Sequence, residues 1–289
     1  MNKTIYVFIF LITLLFASCS TKPKVTEDIY TMRLFAERGL ESANKEIGQG
    51  NFKTADSLLS EYKRMAILAD DPSLISRVCL SYGNALFYLG KNVEAFAQWD
   101  EAEREAKRAD NAELLSVSRI YRARGNLMSE KQAPGAILNE VDKESANIKK
   151  DPFFIAYSWQ VKGLAQRALG NLDAAEEAMR QSLAIHERQR SLENCSFDWY
   201  TIASIRSLKK ENDEAIKALE KAIEIDRRIE NSWGLAASYR AMGDVYRNDR
   251  KEDKALEAYN RAKNIYIALK IDDKAVLDDI EKRIRNEIK

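Results

Sequence analysis

Two apolar patterns divide the chain. Between Ile5 and Phe16 apolar residues follow one another almost without interruption. Those twelve residues, at ~1.5 Å rise each, would cover about 18 Å as a helix, well short of a ~30 Å hydrocarbon layer. The run therefore reads as the core of a signal peptide rather than a spanning helix. From about residue 31 onward the pattern changes to one that repeats. Small residues stand at Ala43, Gly83, Ala123, Gly163, Ala203 and Gly243, each 40 beyond the last. Twelve residues after each come Ala55, Ala95, Gly135, Ala175, Ala215 and Ala255. Four further on is a large apolar site, Leu59, Trp99, Met179, Leu219 and Tyr259, broken only by Asn139. Self-similarity at a fixed period marks a repeat architecture. Its physical cause is the close crossing of two antiparallel helices, which only small side chains allow, with large residues a turn away filling the groove. Asp71-Pro72 and Asp151-Pro152, two periods apart, mark turns between repeats.

The segment Tyr82 to Ala102 resembles the tetratricopeptide repeat (TPR). Gly83 takes the small position of its first helix, Gly90 the turn, Ala95 the signature alanine of the second helix, Trp99 the large aromatic and Ala102 the closing small residue. The resemblance implies an all-α, right-handed superhelical solenoid of antiparallel helix hairpins with a 40-residue step. About six repeats are expected over 31–272, with a capping helix over 273–289 that carries Val276, Ile280 and Ile284 on one face. The step exceeds the usual ~34 residues. Because Ala102–Arg108, Ser182–Arg188 and Ala222–Arg228 run on without a breaker, the added residues are expected to lengthen the second helix. In this the chain is similar to the long-helix TPR subclass of kinesin light chains and several bacterial regulators. The third repeat departs from the pattern, with Glu130 to Gly135 replacing the usual turn and Pro134 placed for a helix start.

Phe16-Ala17-Ser18-Cys19 resembles a bacterial lipobox. That resemblance implies a lipoprotein signal peptide over 1–18, an acylated Cys19, and a tether over 19–30 leading into the repeats. Ser20 follows the cysteine where an aspartate would favour the inner membrane, so the expected place is the bacterial cell envelope, lipid-anchored at the outer membrane and facing the periplasm. The other cysteines, Cys79 and Cys195, lie 116 residues apart, roughly three repeats, too far for a disulfide in a solenoid. Cys79 falls on a core-facing position.

With 46 basic and 45 acidic side chains the charge nearly cancels, and no basic stripe of the kind that binds phosphates is evident, so no nucleic-acid partner is expected. The chain has one histidine, His186, with no recognisable partner set, and it reads as a surface or boundary residue. No dinucleotide-binding, phosphate-loop, zinc-protease or calcium-loop motif occurs. Neither cofactor, metal nor catalysis is expected. The inner wall of the superhelix is then the surface of interest. Carrying the inward TPR positions onto this register gives Asn44, Asn84, Phe87, Tyr88, Arg124, Tyr157, Gln160, Arg167, Tyr200, Arg240, Asp244 and Arg247 as partner-binding candidates. Rings bury area at little entropic cost and guanidinium groups fork onto carboxylates. Asn44 and Asn84 match part of the clamp by which some TPRs hold a terminal carboxylate, but Leu40 and Leu80 stand where its lysine belongs. Trp99, Trp159 and Trp199 sit at framework sites, whereas Trp233 lies outside that pattern. The expected function is a membrane-anchored, non-catalytic scaffold for a protein or peptide partner. The alternative is a ligand-binding accessory lipoprotein of a solute transporter.

Overall fold

A computed structural model describes residues 31–269 and 274–285; Cys19 and the segment around it lie outside these. The chain is punctuated at a fixed interval. A residue with left-handed backbone stands at every twentieth position from Gly50 to Arg250, 150 excepted, with φ between 47° and 80°. Each ends a helix. Behind it the second amide reaches back to a carbonyl of the last turn, as Asn111 N–H does to Ala106 O at 3.1 Å. Only three of the ten positions are glycine, so the regular spacing is imposed by packing as much as by local preference. The next helix starts at once. Asp71, Asn111, Asp151 and Asn231 cap the first helices of four hairpins by accepting amides of Leu74, Leu114, Phe153 and Gly234.

The result is thirteen helices and no strand among the described residues. They pair as α1 (Met32–Gly48) with α2 (Phe52–Leu68), α3 (Pro72–Tyr88) with α4 (Asn92–Arg108), α5 (Ala112–Met128) with α6 (Pro134–Ser145), and α7 (Pro152–Ala168) with α8 (Leu172–Gln189). The stack continues with α9 (Leu192–Leu208) and α10 (Asn212–Arg228), then α11 (Ser232–Asn248) and α12 (Glu252–Ala268), and ends in α13 (Lys274–Ile284). Successive first helices α1, α3, α5, α7, α9 and α11 also pack on one another, which curves the stack with these helices inside. This is an all-α helical repeat solenoid.

The recurring small residues sit where expected. A Cβ added to Gly83 would lie 2.2 Å from Nε1 of Trp99, one on Gly163 2.7 Å from Sδ of Met179, and one on Gly243 2.4 Å from the Tyr259 ring. In these three hairpins the large residue of the second helix thus rests on the small residue of the first. Trp99 is buried and donates its ring N–H to Leu80 O at 3.3 Å. The core forms two clusters, one from Ala36 to Ala165 and one from Ala175 to Ile280.

Two expectations need correction. The added length does not go to the second helix: in the first, second, fifth and sixth hairpins both helices have 17 residues. An antiparallel helix that outran its partner would leave apolar surface uncovered, so the extension is shared. Gly135 is no crossing residue either, since a Cβ there would meet nothing within 4 Å. In α6, which begins late, the buried apolar positions are Ile137 and Val141. That two-residue shift explains why Asn139 is tolerated, because it stands exposed.

Gly83→Ala should therefore lower stability by about 2 kcal/mol, the usual range for overpacking a tight core. Gly135→Ala should be neutral or slightly stabilising through helix propensity. Thermal unfolding of the two variants beside the parent chain checks both.

Candidate functional site

The curvature carries the stack through a full circuit. The turn after α1 reaches the starts of α9 and α11, and four contacts clasp the circuit shut. Gln49 donates from Nε2 to Ile229 O at 3.2 Å across 180 residues of sequence. The ring of Phe52 meets that of Trp233 edge-on at 5.9 Å. A Cβ on Gly50 would come within 2.6 Å of the Trp233 Cβ, and one on Gly48 within 3.1 Å of Glu193. Gly50 also has φ +78°, so close approach and backbone both call for glycine there.

Inside the clasp the first helices surround a channel of about 680 Å³, within the usual size of ligand sites. Its wall carries a connected series of rings. Tyr157 stacks on Tyr121 at 4.2 Å, Tyr88 on Phe52 at 4.7 Å, and Trp233 meets Tyr266 at 5.8 Å. Arg124 links the first two pairs, with its guanidinium 5.6 Å from the Tyr88 ring centre and donating to the Tyr88 hydroxyl at 2.7 Å. Arg240 pairs with Asp279 of α13 at 3.2 Å. Asp226, beside Asn231 at 2.9 Å, is pushed up to about 6 by burial, which the Ser196 and Asn231 hydrogen bonds only partly offset.

Eight of the twelve groove candidates line this channel: Asn44, Asn84, Tyr88, Arg124, Tyr157, Gln160, Tyr200 and Arg240. Four do not. Phe87 packs against Trp99 at 5.7 Å, and Arg167 donates to Ser204 of α9 at 3.0 Å. Asp244 accepts from Tyr259 and Arg283, while Arg247 lies over the Tyr259 ring at 4.8 Å and donates to Arg283 O. The cause is rotation between hairpins. The wall is drawn mainly from the C-terminal halves of α1, α3 and α5 but from the N-terminal halves of α7, α9 and α11. A fixed register position therefore leaves the channel partway along the stack. Reasoning from that register missed Phe52, Tyr121, Phe153, Phe197, Trp233 and Tyr266. Trp233, lying outside the framework pattern, was the one visible signal.

His186 is not at the surface. It is 1% exposed, with Nδ1 2.7 Å from Asp198 Oδ2 and 3.3 Å from Ser182 Oγ. Ser182 donates to the same carboxylate oxygen at 3.0 Å, and Gln160 donates to the other at 2.8 Å. Burial raises the Asp198 carboxyl, against the lowering effect of His186. A serine–histidine–aspartate relay needs serine and carboxylate on opposite ring nitrogens. Here both share Nδ1 while Nε2 has no partner, and all three side chains are sealed from solvent. The group is a polar joint between α7, α8 and α9. Register could have flagged it, because 186 is the position of the buried Ala66 and Ala106. Cys79 and Cys195 are buried free thiols, each pushed up to about 12 by desolvation. Trp99 is wholly buried, whereas Trp159 and Trp199 are half-buried. Among the described residues no helix is long and apolar enough to cross a membrane, and no three His, Cys, Asp or Glu side chains cluster as metal ligands.

Residues 156–187 and 197–268 match models of the tetratricopeptide repeat. No curated protein matches the chain in sequence. Among solved structures, a Rap protein complexed with competence and sporulation factor is similar at a TM-score of 0.58 and 12% identity, over 85% of this chain and 72% of that one. The APC/C hetero-tetramer Cut9-Hcn1 is similar at 0.53 and 14%, over 86% of this chain and 42% of that one. At these identities the likeness is one of fold.

Trp233→Ala should release the clasp without unfolding the hairpins. Small-angle X-ray scattering should show a larger radius of gyration while helical circular dichroism stays unchanged. Asp226 gives a signed pH effect. As pH rises from about 4 to about 6 the unfolded chain releases this proton first and the folded chain holds it, so folding loses about 2 kcal/mol. Asp226→Asn should remove that loss, seen as a stability difference from the parent chain that grows between pH 4 and pH 7 in urea unfolding.

Proposed function

We propose, starting from a chain built of tetratricopeptide repeats, that this protein is a non-catalytic scaffold whose clasped channel takes up an extended segment of a protein or peptide partner. The carrying observation is the connected series of rings with Arg124 on the inner wall of a closed circuit. Aromatic rings and arginine are the side chains that most often anchor protein partners. A wall shut sideways by Gln49, Phe52 and Trp233 favours a narrow chain over a folded domain. The Rap protein of similar fold, solved with competence and sporulation factor bound, supports the reading. The polar joint at His186 has the wrong geometry for a nucleophilic relay, which favours a role without turnover.

We place the protein in a bacterial cell envelope, tethered by lipid on Cys19 to a membrane, on the lipobox-like Phe16-Ala17-Ser18-Cys19 alone. Acyl chains at ~0.8 kcal/mol per buried CH₂ would make that anchor durable once more than one is attached. A second reading, a ligand-binding accessory protein of a solute transporter, is favoured by the encircled channel, whose volume also suits a small molecule.

Photo-crosslinking in cells tests the first reading. A crosslinking residue at Tyr200 should capture a partner, while one at Lys221, which is exposed on a second helix, should not. Capture only from Lys221 would count against the channel, and a small molecule retained in native mass spectrometry would favour the second reading. Labelled palmitate should be incorporated by the parent chain and lost in Cys19→Ala.

A further inference from the structure

We propose that Arg124 is the receptor for a carboxylate carried by the extended peptide that fills the channel. This rests on the channel reading above and narrows it to a chemical class of ligand.

The observation is a buried charge without a counter-charge. Arg124 is 5% exposed and is the one arginine or lysine that is buried among the described residues. Its surroundings are neutral: Tyr88 through hydroxyl and ring, with Tyr121 and Tyr157 alongside. Several half-buried arginines, by contrast, have acids. Arg119 holds Glu103 and Glu144, Arg206 holds Glu176, and Arg283 holds Asp244 and Asp279. Burying an unpaired charge is strongly unfavourable, and such a group tends to mark a functional site.

Unused hydrogen-bonding groups lie at the same place. The Tyr157 hydroxyl, on a residue only 7% exposed, lies beside Arg124 and donates to no acceptor. Stacking on Tyr121 at 4.2 Å holds its ring in place. A guanidinium has five N–H donors and a carboxylate about four acceptor sites, and Arg124 meets tyrosine hydroxyls, Tyr88 at 2.7 Å with Tyr157 beside it, and no acid. A carboxylate seated there would neutralise Arg124 and accept from Tyr157 as well. Acids on the wall do not compete. Asp151 caps α7 through Phe153 N, Asp226 is tied to Asn231, and Glu193 is exposed at the clasp.

The test uses the full chain and three pooled hexapeptide libraries, all N-acetylated. One has glutamate at the third position and an amidated end. The second has glutamine there and an amidated end, and the third has glutamine and a free C-terminal carboxylate. Affinity selection with mass-spectrometric readout should enrich the first or the third at least ten-fold over the second, showing whether side chain or terminus supplies the carboxylate. Arg124→Gln and Tyr157→Phe should abolish that preference. Arg124→Gln should also melt at or above the parent temperature, because an empty site loses an unpaired charge. Equal enrichment of all three libraries would overturn the proposal while leaving the channel as a peptide site. A lower melting temperature for Arg124→Gln would overturn it by making Arg124 a structural residue. Enrichment of no library would overturn the channel reading itself, and this proposal with it.

Discussion

Everything in this molecule depends on how closely two helices of a hairpin can approach. At Gly83, Gly163 and Gly243 the absent Cβ leaves room that Trp99, Met179 and Tyr259 occupy. At the other crossings, alanines such as Ala43, Ala123 and Ala203 are buried to the last methyl. A hairpin of this kind cannot cover its own apolar stripe, so each is stabilised by its neighbours along the stack. The twenty-residue spacing of the turns follows from the same need. Two antiparallel helices bury the most surface when they are equally long, and the chain accepts left-handed Asp, Glu, Lys and Arg residues to keep them so.

That framework tolerates polar insertions only where they are paired. His186 and Asp226 occupy a position that Ala66 and Ala106 fill elsewhere. The first is held at Nδ1 by Asp198 and Ser182, and the second by Asn231 with a raised carboxyl. In the degenerate third hairpin, Glu144 is likewise buried against Ser116 and Arg119. Arg124 differs in kind, because among the described residues it is the buried cation without an acid beside it, and it stands on the wall of the channel, facing the enclosed space.

Closing the circuit changes what the inner wall can do. An open groove would accept a loop or a helix from the side. Here Gln49, Phe52 and Trp233 join the first hairpin to the last two, although 180 residues separate them. Ring-to-ring contact at the clasp continues into the stack of rings inside, through Phe52 to Tyr88 and through Trp233 to Tyr266.

The helical repeat, its step, the crossing residues other than Gly135 and the faulty third hairpin were legible in the chain, because each depends on side-chain size at local spacing. The inner wall was legible only in part. Asn44, Asn84 and Arg124 lie where a constant register puts them, but Arg167, Asp244 and Arg247 do not. Each hairpin is rotated slightly against the one before, a small angle invisible in any single repeat that adds up over six. The same accumulated rotation brings Gly50 to Trp233, which no pattern of spacing could announce. Local sterics, written in the sequence, determine what a repeat is; the sum of many small packing angles, present only in the folded stack, decides which side chains meet at its centre.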